Sequence, residues 1–260
     1  MRLLRQVFLA AAVLGIAMSA PAHADKLQDV LASGKLRVGV LLDAAPWGFK
    51  DAAGNDAGLD VELAKVMAKD LNAKLELVAL TGQSRIPSLL ANKVDVLIAA
   101  AGATPERAQQ MMFSEPYAAV NLGVFGASEK PFDNVAALAG KQVAVAKGST
   151  LDTWLTDNAP DVKVVRFEDT PSAIAAYLAG QVDYFAENSA IALKVRDDNP
   201  GKRVALAYLI RMSPAHVAVA QSEQNFLNWI NTFLFYHRMN GDLAKLQKTF
   251  FKEEQTLPHL

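Results

Sequence analysis

Apolar and polar positions alternate along this chain in two repeating rhythms. Leu36-Arg37-Val38-Gly39-Val40 alternates with the period of a half-buried strand. From Leu59 to Leu71, Leu63, Val66, Met67 and Leu71 recur at helical spacing, with Asp60 and Glu62 in the first turn, where negative charge is favourable. Leu75 to Leu80 predicts a strand and Ile86 to Ala91 a short helix. Val94 to Ala101 is almost continuously apolar, as a strand buried on both faces is. A second series begins near Val135. It predicts a strand over Lys141 to Ala146, a helix over Leu151 to Asn158 and a strand over Val162 to Phe167. Thr170-Pro171 opens another helix with a cap residue and a proline in the first turn, and Gly180 closes it. After a loop at 197–201, two strands and two helices follow, the helices near Glu223–Met239 and Asp242–Phe251. Strands alternating with helices predict parallel α/β sheets, and two such series predict two lobes.

One stretch echoes another. Leu89 to Leu97 and Tyr177 to Phe185 each run from a helix end through a polar pair and Val-Asp into an apolar strand. Any helix-to-strand turn can produce such a pattern. If the two are equivalent, the strand ends at Ala99–Gly102 and Glu187–Asn188 face each other across a cleft, because ligands of open α/β sheets bind beyond the carboxyl ends of strands.

The first residues add an address. Two arginines, an apolar run from Val7 to Ala17 and Ala22-His23-Ala24 make a three-part secretory leader with cleavage expected after Ala24. The run is shorter than the ~20 residues that span a bilayer. No cysteine is present, which excludes a lipid anchor, a disulfide framework and thiolate chemistry. Loss of Arg2 and Arg5 from 26 basic residues leaves 24 against 27 acidic ones, and no basic stripe is present, so nucleic acid is not an expected partner. His216, His237 and His259 are scattered without ligand spacing, so no metal and no cofactor are expected.

Several motifs in order carry a family resemblance: Gly34 to Val40, Pro46-Trp47-Gly48-Phe49, Gly58 to Leu63, Arg85 to Leu90 and Lys93-Val94-Asp95. Thr104-Pro105-Glu106-Arg107 with Phe113 to Tyr117, Lys147 to Thr150 and Gly241-Asp242-Leu243 complete the series. Together they resemble the bacterial extracellular solute-binding proteins of the polar amino-acid type (family 3), over essentially the whole chain after the leader. The resemblance implies an α/β, two-lobed type II periplasmic-binding fold with two crossover strands, placed here near Asn121–Val124 and Leu206–Met212. It divides the chain into a leader (1–24), a discontinuous first lobe (25–121 and 212–260) and a second lobe (122–211). It also implies a monomer that closes on an amino acid or small carboxylate and docks on an ABC permease.

Residue by residue, Arg107 follows a helix start, where free N–H groups and a guanidinium can converge on an anion. The family's arginine here grips the ligand carboxylate, although a surface arginine would also fit the pattern. Gly148-Ser149-Thr150 offers amides and hydroxyls to the same group. Trp47 and Phe49 stand where the family covers its ligand, and a core role fits either equally. The arginine matching Arg85 helps hold a second carboxylate in acidic-amino-acid binders, or it faces solvent. Thr104, Gly102, Glu187 and Asn188 complete the candidate site. Three of its positions depart from the family. Gly82 replaces an aromatic, Gly102 a serine or threonine, and Asn188 the aspartate that pairs with the ligand ammonium. Arg85, Arg107 and an uncharged Asn188 predict a ligand richer in carboxylate than ammonium character, with lysine and arginine bound poorly. The other reading is an enzyme of the cyclohexadienyl dehydratase type with Glu187 as general acid.

Overall fold

The computed structural model describes residues 25–251; the expected leader lies outside them. Eleven strands and nine α-helices are found among the described residues. The first half contains α1 (Lys26–Ser33), β1 (Lys35–Leu41), β2 (Asp43–Ala44), β3 (Gly48–Lys50), β4 (Asp56–Ala57) and α2 (Leu59–Asp70). It continues through β5 (Lys74–Leu80), α3 (Arg85–Leu90), β6 (Val96–Ala101) and α4 (Pro105–Ala108). The long strand β7 (Met111–Gly126) leads into the second half: β8 (Gln142–Ala146), α5 (Thr150–Asn158), β9 (Lys163–Phe167), α6 (Thr170–Leu178), β10 (Tyr184–Asn188) and α7 (Ser189–Asp198). A second long strand, β11 (Ala205–Ala220), returns the chain to α8 (Gln224–Met239) and α9 (Asp242–Phe251).

Eight strands form one sheet in the order β5-β1-β6-β11-β7-β10-β8-β9. β1, β5 and β6 are parallel, as are β8, β9 and β10. The antiparallel β7–β11 ribbon joins the two parallel groups. Val96, Leu97, Ile98 and Ala99 have no exposed surface, as expected for a strand covered on both faces. The two strands predicted after the loop at 197–201 are one strand of 16 residues. Its register against β7 shifts between Leu206 and Tyr208 and between Leu209 and Arg211. These shifts break the alternation that a regular strand displays, so the sequence reads as two pieces. The expected crossing segments pair with each other here, Asn121 with Met212 and Val124 with Tyr208.

The internal echo is structural. Lys93 N–H bonds Ser88 O and Gln181 N–H bonds Ala176 O, both at 2.9 Å, closing α3 and α6 in the same way. Asn92 (φ 53°) and Gly180 (φ 75°) occupy the left-handed position that such a closure requires. The following aspartates then bracket the neighbouring parallel strand. Asp95 N–H donates to Arg37 O and its carboxylate accepts Arg37 N–H, each at 2.8 Å. Asp183 N–H donates to Gln142 O at 3.0 Å, and its carboxylate accepts Gln142 N–H at 2.8 Å. β6 and β10 are thus equivalent strands.

Three helices, α2, α8 and α9, are stapled by His237. Its Nε2 lies 2.8 Å from Asp70 of α2 and its Nδ1 2.8 Å from Asp242 of α9. Only an imidazolium donates from both nitrogens. Burial opposes that charge, but the two carboxylates outweigh it and raise the His237 pKa. A raised folded pKa stabilises the fold at low pH, and the benefit fades as pH rises through that pKa. Urea unfolding should therefore show His237→Gln less stable than wild type by roughly 1.5–3 kcal/mol below about pH 6.5. The gap should narrow toward pH 9, and a gap that widened with pH would contradict the staple.

Candidate functional site

Between the two halves lies a cavity with about 80 Å³ open to the centres of water-sized molecules, well above the ~10–15 Å³ that one water needs. The ends of β6 and β10 both reach it. Ala100 and Gly102 line it from one side, Glu187 and Asn188 from the other. Of the expected site residues, Trp47, Arg85, Gly102, Arg107, Ser149, Thr150, Glu187 and Asn188 are brought together here. Phe49 and Thr104 do not line the cavity. Phe49 pairs with Asp43 and Ala57 in the small β2-β3-β4 sheet. Thr104 caps α4, its hydroxyl accepting Arg107 N–H at 3.3 Å.

Two guanidiniums are held by main-chain carbonyls. Arg107 donates to Gly102 O at 3.0 Å and, across the cavity, to Gly148 O at 3.1 Å. Arg85, 9% exposed, donates through Nη1 to Ala99 O at 2.7 Å and through Nε to Gly82 O at 3.3 Å. Burial, then the neighbouring Arg85 and Arg211, lower the Arg107 pKa to about 10, which leaves it charged at neutral pH. Burial also lowers that of Arg85, while Glu187 across the cavity opposes the shift more than any other charge.

The second half presents three helix starts. Ser149 caps α5 (Oγ to Asp152 N–H, 3.0 Å), Asp169 caps α6 (Oδ1 to Ser172 N–H, 2.8 Å) and Asn188 caps α7 (Oδ1 to Ile191 N–H, 3.1 Å). All three cap residues line the cavity, so the positive ends of three helix dipoles point toward it. Asp169 meets the α6 start with its own negative charge, while the starts of α5 and α7 together with Arg107 give the wall a positive character suited to an anion.

Asn188 is the last residue of β10 and the cap of α7. The chain turns there, so Glu187 and Asn188 both line the cavity, and strand alternation no longer sends them to opposite faces. Asn188 Oδ1 also accepts the indole N–H of Trp47 at 3.2 Å, from the other half, and its Nδ2 donates to Glu187 Oε1 at 3.0 Å. The amide is occupied by the protein. Glu187 Oε2 accepts the Thr170 hydroxyl at 3.1 Å, and burial raises the Glu187 pKa against these hydrogen bonds. Trp47 is both wall and core: it has no exposed surface, and its ring meets Phe251 at 4.8 Å and Tyr117 at 6.3 Å between centroids, both edge-on.

Asp43 and Asp169 were not anticipated from the sequence and face the cavity from opposite halves. The Asp169-Thr170-Pro171 helix start could have revealed the second of them. Burial first, and then the charge of Asp169, raise the Asp43 pKa. Beneath the cavity, Asp60 has no exposed surface and accepts the Tyr117 hydroxyl at 2.7 Å and Ala100 N–H at 2.9 Å. Burial pushes its pKa up to about 7, against the pull of those bonds and of Arg85.

With this geometry in hand, comparison with known proteins is direct. The chain is 30% identical to a glutamine-binding protein of Geobacillus stearothermophilus, over 79% of this chain and 80% of that one. The crystal structure of a cysteine-binding protein from Campylobacter jejuni superposes with a TM-score of 0.82 at 27% identity, covering 88% of this chain and 93% of that one. An ancestral amino acid-binding protein described as a precursor of cyclohexadienyl dehydratase superposes with a TM-score of 0.79 at 28% identity, covering 86% and 99%. The sequence model of one family matches residues 36–253, and the chain belongs to that family, the bacterial extracellular solute-binding proteins, family 3.

Proposed function

We propose that this protein is the periplasmic substrate-binding component of an ABC uptake transporter, exported by residues 1–24 and working as a monomer. It takes an α-amino acid between a lobe of 25–121 with 212–260 and a lobe of 122–211. The lobes close about the β7–β11 ribbon, and the closed form delivers its ligand to an inner-membrane permease. The observation that carries this reading is the meeting of Arg107, from the first lobe, with the start of α5, from the second. A carboxylate bound there bridges both lobes and favours closure.

The ammonium partner in this reading is Glu187. Asn188 is committed to Ile191, Trp47 and Glu187, whereas Glu187, which accepts Thr170 and Asn188, is a carboxyl with further acceptor capacity whose ionised form a bound ammonium would favour against burial. This supplies the charge that the aspartate-to-asparagine departure removes. An amino acid therefore fits better than a carboxylate lacking the amine. Arg85 still disfavours a cationic side chain in its vicinity.

A thermal-shift screen of glutamine, glutamate, arginine, histidine, cysteine and cystine should find a ligand that raises the melting temperature. Arg107→Ala should weaken that ligand by roughly thirtyfold or more, with an unchanged circular dichroism spectrum. An affinity within threefold of wild type would remove Arg107 from the site.

Glu187→Gln should weaken the amino acid about tenfold or more, as loss of a charged hydrogen-bond partner does. It should change the matched acid lacking the amine far less. Equal losses for both ligands would place the ammonium elsewhere. The enzyme reading draws on the same raised pKa of Glu187, which suits a general acid. Product formation from prephenate would establish that reading, and stoichiometric capture without turnover would refute it.

A further inference from the structure

We propose that Asp60 and Tyr117 form a buried clamp that fixes Ala100 in a left-handed turn and thereby aims Arg85 into the ligand cavity. Asp60 is then a positioning residue of the binding site, although it touches no ligand. As far as affinity is concerned, this rests on the amino-acid reading above.

Ala100 has φ 48°, in the region that favours glycine. An alanine stays there only when its surroundings hold it. Here the hold is on its N–H, which donates to Asp60 Oδ2 at 2.9 Å and lies 3.3 Å from the Tyr117 hydroxyl. Tyr117 in turn donates to Asp60 Oδ1 at 2.7 Å. Asp60 and Tyr117 come from α2 and β7 and have no exposed surface, so the clamp is built into the core.

The consequence runs through one peptide unit. The N–H of Ala100 and the C=O of Ala99 belong to the same planar group and point in opposite directions. Asp60 grips the N–H end, and the C=O end receives Arg85 Nη1 at 2.7 Å. The carboxylate, the peptide and the guanidinium form a chain in which each hydrogen bond polarises the next. Two residues further on, Gly102 O receives Arg107, so the course of the chain through Ala100 also bears on the second arginine. Ala100 itself lines the cavity.

A merely structural carboxylate would be indifferent to the residue at 100. Under the proposal, Asp60→Asn leaves one acceptor oxygen for two donors and releases Ala100 from the left-handed turn. Ala100→Gly, which occupies that turn without strain, should compensate. The ligand-free protein is read first by NMR. The strong intraresidue HN–Hα contact of a left-handed Ala100 should be present in wild type and weakened in Asp60→Asn. Affinity is then measured by calorimetry for whichever of glutamine, glutamate, arginine, histidine, cysteine or cystine stabilises the wild type most. Asp60→Asn should bind it about tenfold more weakly than wild type, whereas the same change made on the Ala100→Gly background should alter affinity less than threefold relative to Ala100→Gly alone. Tyr117→Phe, which removes one hydroxyl, should give a smaller loss in the same direction and serves if Asp60→Asn folds poorly. An unchanged Ala100 signal in ligand-free Asp60→Asn would overturn the clamp, whether or not any amino acid binds. A loss of affinity that Ala100→Gly fails to relieve would overturn it too. If the Ala100 signal changes as expected but none of the six amino acids binds, the clamp stands and the amino-acid reading fails.

Discussion

Two arginines in one cavity, Arg85 buried and Arg107 half-buried, set the terms for everything around them. Among the described residues, no carboxylate stands within ion-pair distance of Arg85 or Arg107. Removing an ion from water costs several kcal/mol unless its protons find partners. Carbonyls supply them: Gly82 and Ala99 for Arg85, Gly102 and Gly148 for Arg107. A carbonyl is a partial charge and leaves a guanidinium with unspent attraction for an anion. The sheet ends at Ala99–Gly102 therefore have to present carbonyls to two arginines, and helix starts from the other half complete a wall suited to a carboxylate.

Crowding accounts for one of the two glycine departures. A Cβ on Gly102 would stand a tight 3.0 Å from Ser213 Oγ, whereas one on Gly82 would make ordinary contact, 3.4 Å, with Lys147 O of the opposite half. Lys147 O and the Arg85 guanidinium, 3.9 Å away, are the nearest groups to that Gly82 position. Gln83 beside it donates to Glu168 across the cavity at 3.0 Å. This rim therefore presents main chain and charge and no aromatic face.

Much of the fold was legible because burial writes itself into period and composition. Val96–Ala101 is apolar throughout because both its faces are covered, and the paired Val-Asp turns recur because each aspartate brackets a parallel neighbour. α7 was not anticipated, although Ile191, Ala192 and Val195 carry its buried stripe, because it begins without a break after β10. β11 was read as two strands because its register shifts interrupt the alternation. In the site, Arg107 was legible from the helix start that precedes it. Glu187 and Asn188 could not be assigned to faces, because strand alternation fails at the residue where β10 becomes the cap of α7. Asp60 sits in an apolar helix pattern where acid in the first turn has an ordinary explanation. Only the conformation of Ala100, which sequence does not encode locally, reveals its use.

Closure and selectivity are linked in the proposed mechanism by bonds that need no ligand. Trp47 reaches Asn188, Arg107 reaches Gly148, and Gln83 reaches Glu168, each joining one half to the other. Such bonds lower the free energy of the closed form whether or not a solute is present. A ligand shifts the balance further only by the difference in its affinity for the two forms. Contacts to Arg107 alone exist in open and closed states and add affinity without adding closure. Contacts to the α5 start or to Glu187, made together with Arg107, exist only when the halves meet. In this mechanism Asn188 acts by holding Trp47, which favours the form that binds. Apparent affinity scales with that fraction, so a residue that never touches the ligand can tune how tightly every ligand is held.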